Sequence, residues 1–81
     1  MITVYSKAHC PFCDKAKALL KLKGIDFEEV RIDQSSEARE FIMGEGHRTV
    51  PQLYKDGKLL VEGGYTGLAK QSSEFFEQLK G

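Results

Sequence analysis

Alternating strand-like and helix-like segments predict an α/β fold, a four-stranded mixed sheet flanked by three helices in the order β-α-β-α-β-β-α. Three features carry that reading. Short β-branched and aromatic runs are separated by amphipathic stretches long enough to be helices. The first two strands have a helix between them, so they run parallel through a right-handed crossover. Asp56-Gly57, set between two apolar runs, is a strong hairpin signal and makes the last two strands antiparallel.

Residues 2–5, Ile-Thr-Val-Tyr, read as a buried first strand. A loop from Ser6 to His9 delivers Cys10. From Pro11 to Lys23, the positions Phe12, Ala16, Leu19 and Leu20, flanked by Ala18 and Leu22, make a helical stripe. Lys15, Lys17, Lys21 and Lys23 supply its wet face, and Gly24 is a left-handed terminator. Residues 25–32 set Phe27, Val30 and Ile32 against Glu28, Glu29 and Arg31 in an imperfect alternation, which predicts the second strand. Ser35 is the favoured cap of a second helix with Ala38, Phe41 and Ile42 inward, ended by Gly44 and Gly46. Residues 52–54 read as the third strand and 58–62 as the returning fourth, which Gly63-Gly64 breaks. Thr66 is the expected cap of one last helix carrying Leu68, Ala69, Phe75, Phe76 and Leu79. Tyr54, Phe75, Phe76 and Leu79 are assigned to the core.

With 81 residues the chain has room for one domain, residues 1–81, and one modest core. Lys plus Arg equals Asp plus Glu at 12 each, so bulk charge gives no case for nucleic acid or an anionic membrane as partner. No apolar run approaches the roughly 20 residues that span a bilayer. The first five residues lack the basic flank and long apolar stretch of a signal peptide, so the expected location is the cytoplasm. A cysteine pair there is seldom a permanent staple.

Cys10-Pro11-Phe12-Cys13 is the stretch that carries chemistry. Pro suits the first helical turn, where its missing N–H would be unpaired anyway. Cys10 then sits at the helix cap, where free N–H groups and the dipole favour thiolate over thiol. Lys7 adds a nearby cation, and a helix N-terminus or a cation makes a thiol more acidic. Cys10 is therefore the expected nucleophile and Cys13 the thiol that resolves its adducts. A structural disulfide or half of a zinc site is the bland alternative. Against these stand the lack of secretory features and of a second ligand pair, with only His9 and His47 left over. Both histidines read as solvated loop residues.

The element order, Cys-Pro-Phe-Cys after the first strand, Tyr5-Ser6-Lys7 ahead of it, Arg48-Thr49-Val50-Pro51-Gln52 before the third strand, and Gly63-Gly64-Tyr65 before the last helix resemble the glutaredoxins of the thioredoxin superfamily. The resemblance implies a thioredoxin-like three-layer fold with a cis bond before Pro51. It implies a glutathione-dependent thiol–disulfide oxidoreductase that reduces protein disulfides and glutathione mixed disulfides, with ribonucleotide reductase a candidate client. Glutathione is then a co-substrate; no tightly bound cofactor, no metal and a monomeric protein are expected. Its binding would fall to Lys7, Phe12, Thr49, Val50, Pro51, Gly64, Tyr65 and Thr66. Lys7 would meet the glycyl carboxylate with Gln34 or Arg39, Val50 would pair with the tripeptide backbone, and Tyr65 and Thr66 would hold the γ-glutamyl end.

One departure stands out. Many family members carry two acidic residues where this chain has Thr66 and Gly67, and a neutral acceptor is a weaker partner for an ammonium group. That difference motivates one rival, a redoxin reduced by thioredoxin reductase; a second, from another class, is a dimer that binds an iron–sulfur cluster through Cys10 and glutathione. Pro11 argues against the dimer, since related cluster carriers have Gly at that place.

Overall fold

A computed structural model describes residues 1–80; Gly81, the last residue of the expected domain, lies outside the described residues. The elements are β1 (Ile2–Ser6), α1 (Pro11–Leu22), β2 (Phe27–Arg31), α2 (Ser36–Gly44), β3 (Gln52–Lys55), β4 (Lys58–Leu59), α3 (Gly64–Ala69) and α4 (Ser73–Leu79). The sheet order is β2-β1-β3-β4. β1 pairs with β2 in parallel, from Ile2 opposite Phe27 to Ser6 opposite Arg31, and with β3 antiparallel, Val4 opposite Leu53. β3 and β4 form the antiparallel hairpin, Tyr54 opposite Leu59. Its turn residues Asp56 and Gly57 have φ of 51° and 82°, as a type I′ turn requires.

Alternation along β1 divides the molecule into its layers. Ile2 and Val4 point to one face and join Ala16 and Leu20 of α1, Ile25, Leu53, Val61, Leu68 of α3 and Phe76 of α4 in the main core. Tyr5 points to the other face, where its ring meets Phe41 of α2 and Tyr54 of β3 at 5.6 Å from each. Phe41, expected inward, covers this aromatic pair while remaining 38% exposed. Tyr54 is buried on this second face; Phe76 lies in the main core, with Phe75 and Leu79 partly buried against it.

Helix ends follow local chemistry. Ser35 Oγ accepts from the Ala38 N–H at 3.2 Å and caps α2. Beyond α1, the Gly24 N–H bonds to Lys21 O and the Ile25 N–H to Leu20 O, the pattern that closes a helix on a left-handed residue and tucks the next apolar side chain inward. That closure places Ile25 in the core, so β2 begins at Phe27 and the expected strand 25–32 shortens at both ends. Glu29 on β2 ties three elements together. It accepts from Ser6 Oγ of β1 at 2.6 Å and from Lys17 Nζ of α1 at 2.8 Å. Those two bonds hold the Glu29 carboxyl below its ordinary range, the Lys17 bond being the larger cause.

Three expectations need correction. The last helix is two helices. α3 ends at Ala69, and Ser72 starts α4 by accepting from the Phe75 N–H at 3.2 Å. Thr66 is not a cap either. It lies inside α3, its hydroxyl donating to Gly63 O at 2.8 Å, and Gly63 occupies the cap position. The returning strand is likewise shorter than 58–62, because Val61 leaves the hairpin to enter the core.

Candidate active site

The end of β1 and the start of α1 deliver the cysteines. Asp33, just past β2, accepts from the Ala8 N–H at 3.1 Å and is itself gripped by Arg31 through two bonds of 2.9 and 2.7 Å. That guanidinium, foremost, holds the Asp33 carboxyl far below the usual carboxylate range. The anchored loop then turns at His9, exposed at φ 56°, so that Cys10 enters as the N-cap of α1 with Pro11 at the first helical position.

Cys10 and Cys13 are joined as a disulfide with their Cα atoms 5.2 Å apart. The Cys13 N–H donates to Cys10 Sγ at 3.2 Å, so the capping bond that a Ser or Asp would make is here made to sulfur. Cys10 is 8% exposed and Cys13 only 1%, which leaves the first sulfur as the one a partner reaches. Opposite stands the Val50-Pro51 bond, in the cis form, with Val50 O 3.7 Å from Cys10 Sγ.

Two clefts flank this point and share Thr49 and Val50. The smaller, about 250 Å³, is lined by Phe12, Thr49, Val50, Pro51, Gly63, Gly64, Tyr65 and Thr66. Its wall is an aromatic pair, Phe12 and Tyr65, with ring centroids 6.2 Å apart. Lys15 Nζ lies 5.1 Å and 5.9 Å from those rings. Phe12 is 52% exposed, so packing alone does not account for an aromatic residue there. The larger cleft, about 590 Å³, runs away on the other side and is lined by Lys7, Ile32, Arg39, Ile42, Met43, Gly46, His47, Arg48, Thr49 and Val50.

Glycines bring the second wall close. At Gly64, φ is 59° and an added Cβ would stand 2.5 Å from Pro51 O, so only glycine lets the start of α3 approach the cis bond. At Gly67 an added Cβ would meet Glu62 O at 1.7 Å. Position 67 therefore has no room for any side chain, acidic ones included.

All eight residues expected to hold glutathione line one of these clefts. Arg39 shares the larger cleft with Lys7, whereas Gln34 lies outside its lining. Sequence reasoning missed two contributors. Asp33 carries no local signal of a role at the site, yet the parallel register of β1 and β2 sets it beside the Ala8 N–H. His47, read as a plain loop residue, lines the larger cleft and shares a 2.9 Å hydrogen bond between its Nε2 and the Tyr54 hydroxyl. No spacing in the chain signals that pairing.

Residues 2–60 match the family model described as glutaredoxin. The chain belongs to the glutaredoxin family. Glutaredoxin 3 of Escherichia coli K12 is 43% identical over 58 residues, 70% of this chain and 70% of that protein. A probable glutaredoxin of Synechocystis sp. is 46% identical over 57 residues, 68% of this chain and 65% of the relative. Among solved structures, the buckwheat glutaredoxin–glutathione complex superposes with a TM-score of 0.76 at 25% identity, covering 98% of this chain and 74% of that one. The glutaredoxin-like NrdH-redoxin of Escherichia coli, whose structure is described as the basis of a thioredoxin-like activity profile, gives 0.65 at 31% identity, covering 67% and 71%. The sheet and its helices have the thioredoxin-like arrangement of these glutaredoxins, and the chain is a thiol–disulfide oxidoreductase of that family.

Proposed function

We propose that this glutaredoxin is a glutathione-dependent oxidoreductase that reduces protein disulfides and glutathione mixed disulfides in the cytoplasm as a monomer. The observation that carries the proposal is the position of Cys10 Sγ at the cap of α1, beside the Val50 carbonyl and between two clefts. In the reduced protein, the Cys13 N–H and the α1 N-terminus stabilise a thiolate on Cys10. That thiolate attacks a substrate sulfur, one thiol leaves, and a mixed disulfide on Cys10 remains. Cys13 then displaces the second thiol and closes the Cys10–Cys13 disulfide, which two glutathiones reopen. Alternatively, glutathione itself resolves the adduct.

Glutathione would lie across the shared Val50 edge. Its backbone pairs with Val50 ahead of cis-Pro51, and its glycyl carboxylate faces Lys7 and Arg39. The γ-glutamyl end lies in the smaller cleft against Phe12, Gly64, Tyr65 and Thr66, with Thr49 between the two. Support comes from the buckwheat relative, described as a complex with glutathione. Ribonucleotide reductase is a proposed client.

A second reading has its own support. The chain has Thr66-Gly67 where many family members carry acidic residues, and one structural neighbour is described as thioredoxin-like in activity. On that reading thioredoxin reductase is the electron source. Coupled NADPH oxidation separates the two. Turnover of a glutathione mixed disulfide with glutathione and its reductase is expected. Reduction by thioredoxin reductase alone, with no turnover on glutathione, would overturn the glutathione assignment.

A further inference from the structure

We infer that the larger cleft is a docking surface for an acidic peptide segment of the client protein, beside the cysteine that Cys10 attacks; this rests on the proposal that Cys10 reacts with protein disulfides. The chain as a whole is neutral, yet the residues that line this cleft include Lys7, Arg39, His47 and Arg48 and no carboxylate. None of the four takes part in an ion pair among the described residues. Of the carboxylates close in sequence, Glu37 and Glu40 beside Arg39 lie outside the lining, and two others are already engaged. Asp33 serves Arg31 and the Ala8 N–H, and Glu45 accepts from the Tyr54 hydroxyl at 3.2 Å.

The charge therefore faces outward unanswered, over a floor that includes Ile42 and Met43, with Met43 62% exposed. One glycyl carboxylate between Lys7 and Arg39 leaves Arg48 without an anion. A longer chain with acidic residues answers all of them, and an apolar side chain of the same segment covers Met43. Nucleic acid fits less well, because apolar floor and cations share one bounded cleft and do not form a basic stripe.

The test uses pre-reduced protein without any reductant, so the outcome does not depend on the electron source. Peptides that differ only in carrying Glu, Gln or Lys around one cysteine, held as its mixed disulfide with mercaptoethanol, are reacted with the protein. Cys10 and Cys13 are oxidised to their disulfide while each probe is reduced to two thiols. The Glu peptide should react on the order of tenfold faster than the Lys peptide at low salt. The ratio should collapse as salt rises from about 0.01 M to about 1 M and the screening length falls from ~30 to ~3 Å. Arg48→Glu should lower the ratio several-fold; Lys58→Glu, the same charge change on β4, should not. Using a ratio cancels any general loss of activity. Equal rates for all peptides, or equal effects of the two variants, would overturn the inference. So would inhibition by a single-stranded oligonucleotide as strong as that by the Glu peptide with Ser for Cys. Failure to react even with neutral hydroxyethyl disulfide would instead sink the underlying thiol chemistry, and the inference with it.

Discussion

Gly67→Ala is the substitution that most sharply probes how α3 is set against the site. The new Cβ would lie 1.7 Å from Glu62 O, and real Cβ contacts essentially never fall under 3.0 Å. Relief requires a shift of at least 1.3 Å, the difference of those two distances, between α3 and the Val61-Glu62 segment. Neither can move freely, since Leu68 on α3 is fully buried and Val61 nearly so. Overpacking of this kind costs roughly 1–3 kcal/mol, and larger values occur when the obstacle is backbone. Alanine's helix propensity returns only about 1 kcal/mol. A net loss of about 1 kcal/mol should lower the melting temperature by roughly 4–8 °C for a domain of this size. Gly44→Ala is the control. It closes α2 with nothing within 4 Å of the added methyl, and should be neutral or stabilising by up to ~1 kcal/mol. Thermal unfolding followed by circular dichroism reads both. A Gly67→Ala protein melting within about 2 °C of wild type would refute the claim that α3 is packed backbone to backbone here.

Two further outcomes follow from the hydrogen-bond networks. Glu29 has a lowered pKa in the folded protein, so its stabilisation is present above the ordinary carboxylate pKa of about 4.3 and is lost as pH falls through the folded value. Glu29→Gln should therefore melt below wild type at neutral pH, and the gap should narrow below about pH 4; a gap constant with pH contradicts the Ser6–Glu29–Lys17 account. The Tyr54 phenol is pushed up to about 12, by burial first and then by its bond to Glu45. Ultraviolet titration should show the last ionisation near that pH, and Tyr54→Phe should remove that step; its survival would place the slow phenol elsewhere.

Much of this is readable in the chain because it is local. Pro11 after Cys10, Ser35 before α2, and Asp56-Gly57 at the hairpin each act over a few residues through capping or turn geometry, and each lies where expected. The split of the last helix is hidden by apolar positions that continue in phase across it. The Ser72 cap is a visible signal that the stripe outweighs. The tertiary parts of the site are not readable. Asp33 reaches Ala8 only through the β1–β2 register, and His47 reaches Tyr54 only across β3 and the end of α2. Gly67 can be seen to lack an acidic side chain, but the reason lies in the carbonyl of Glu62, five residues back and on the other side of a turn.

The most direct test of the central claim is to trap the first chemical step. Reduced wild type, Cys10→Ser and Cys13→Ser would each be mixed with oxidised glutathione and read by intact-protein and peptide mass spectrometry. The account predicts a glutathione adduct on Cys10 in Cys13→Ser, an intramolecular disulfide in wild type, and no rapid adduct on the buried Cys13 in Cys10→Ser. A fast adduct on Cys13, with Cys10 left free, would contradict the assignment of Cys10 as the nucleophile.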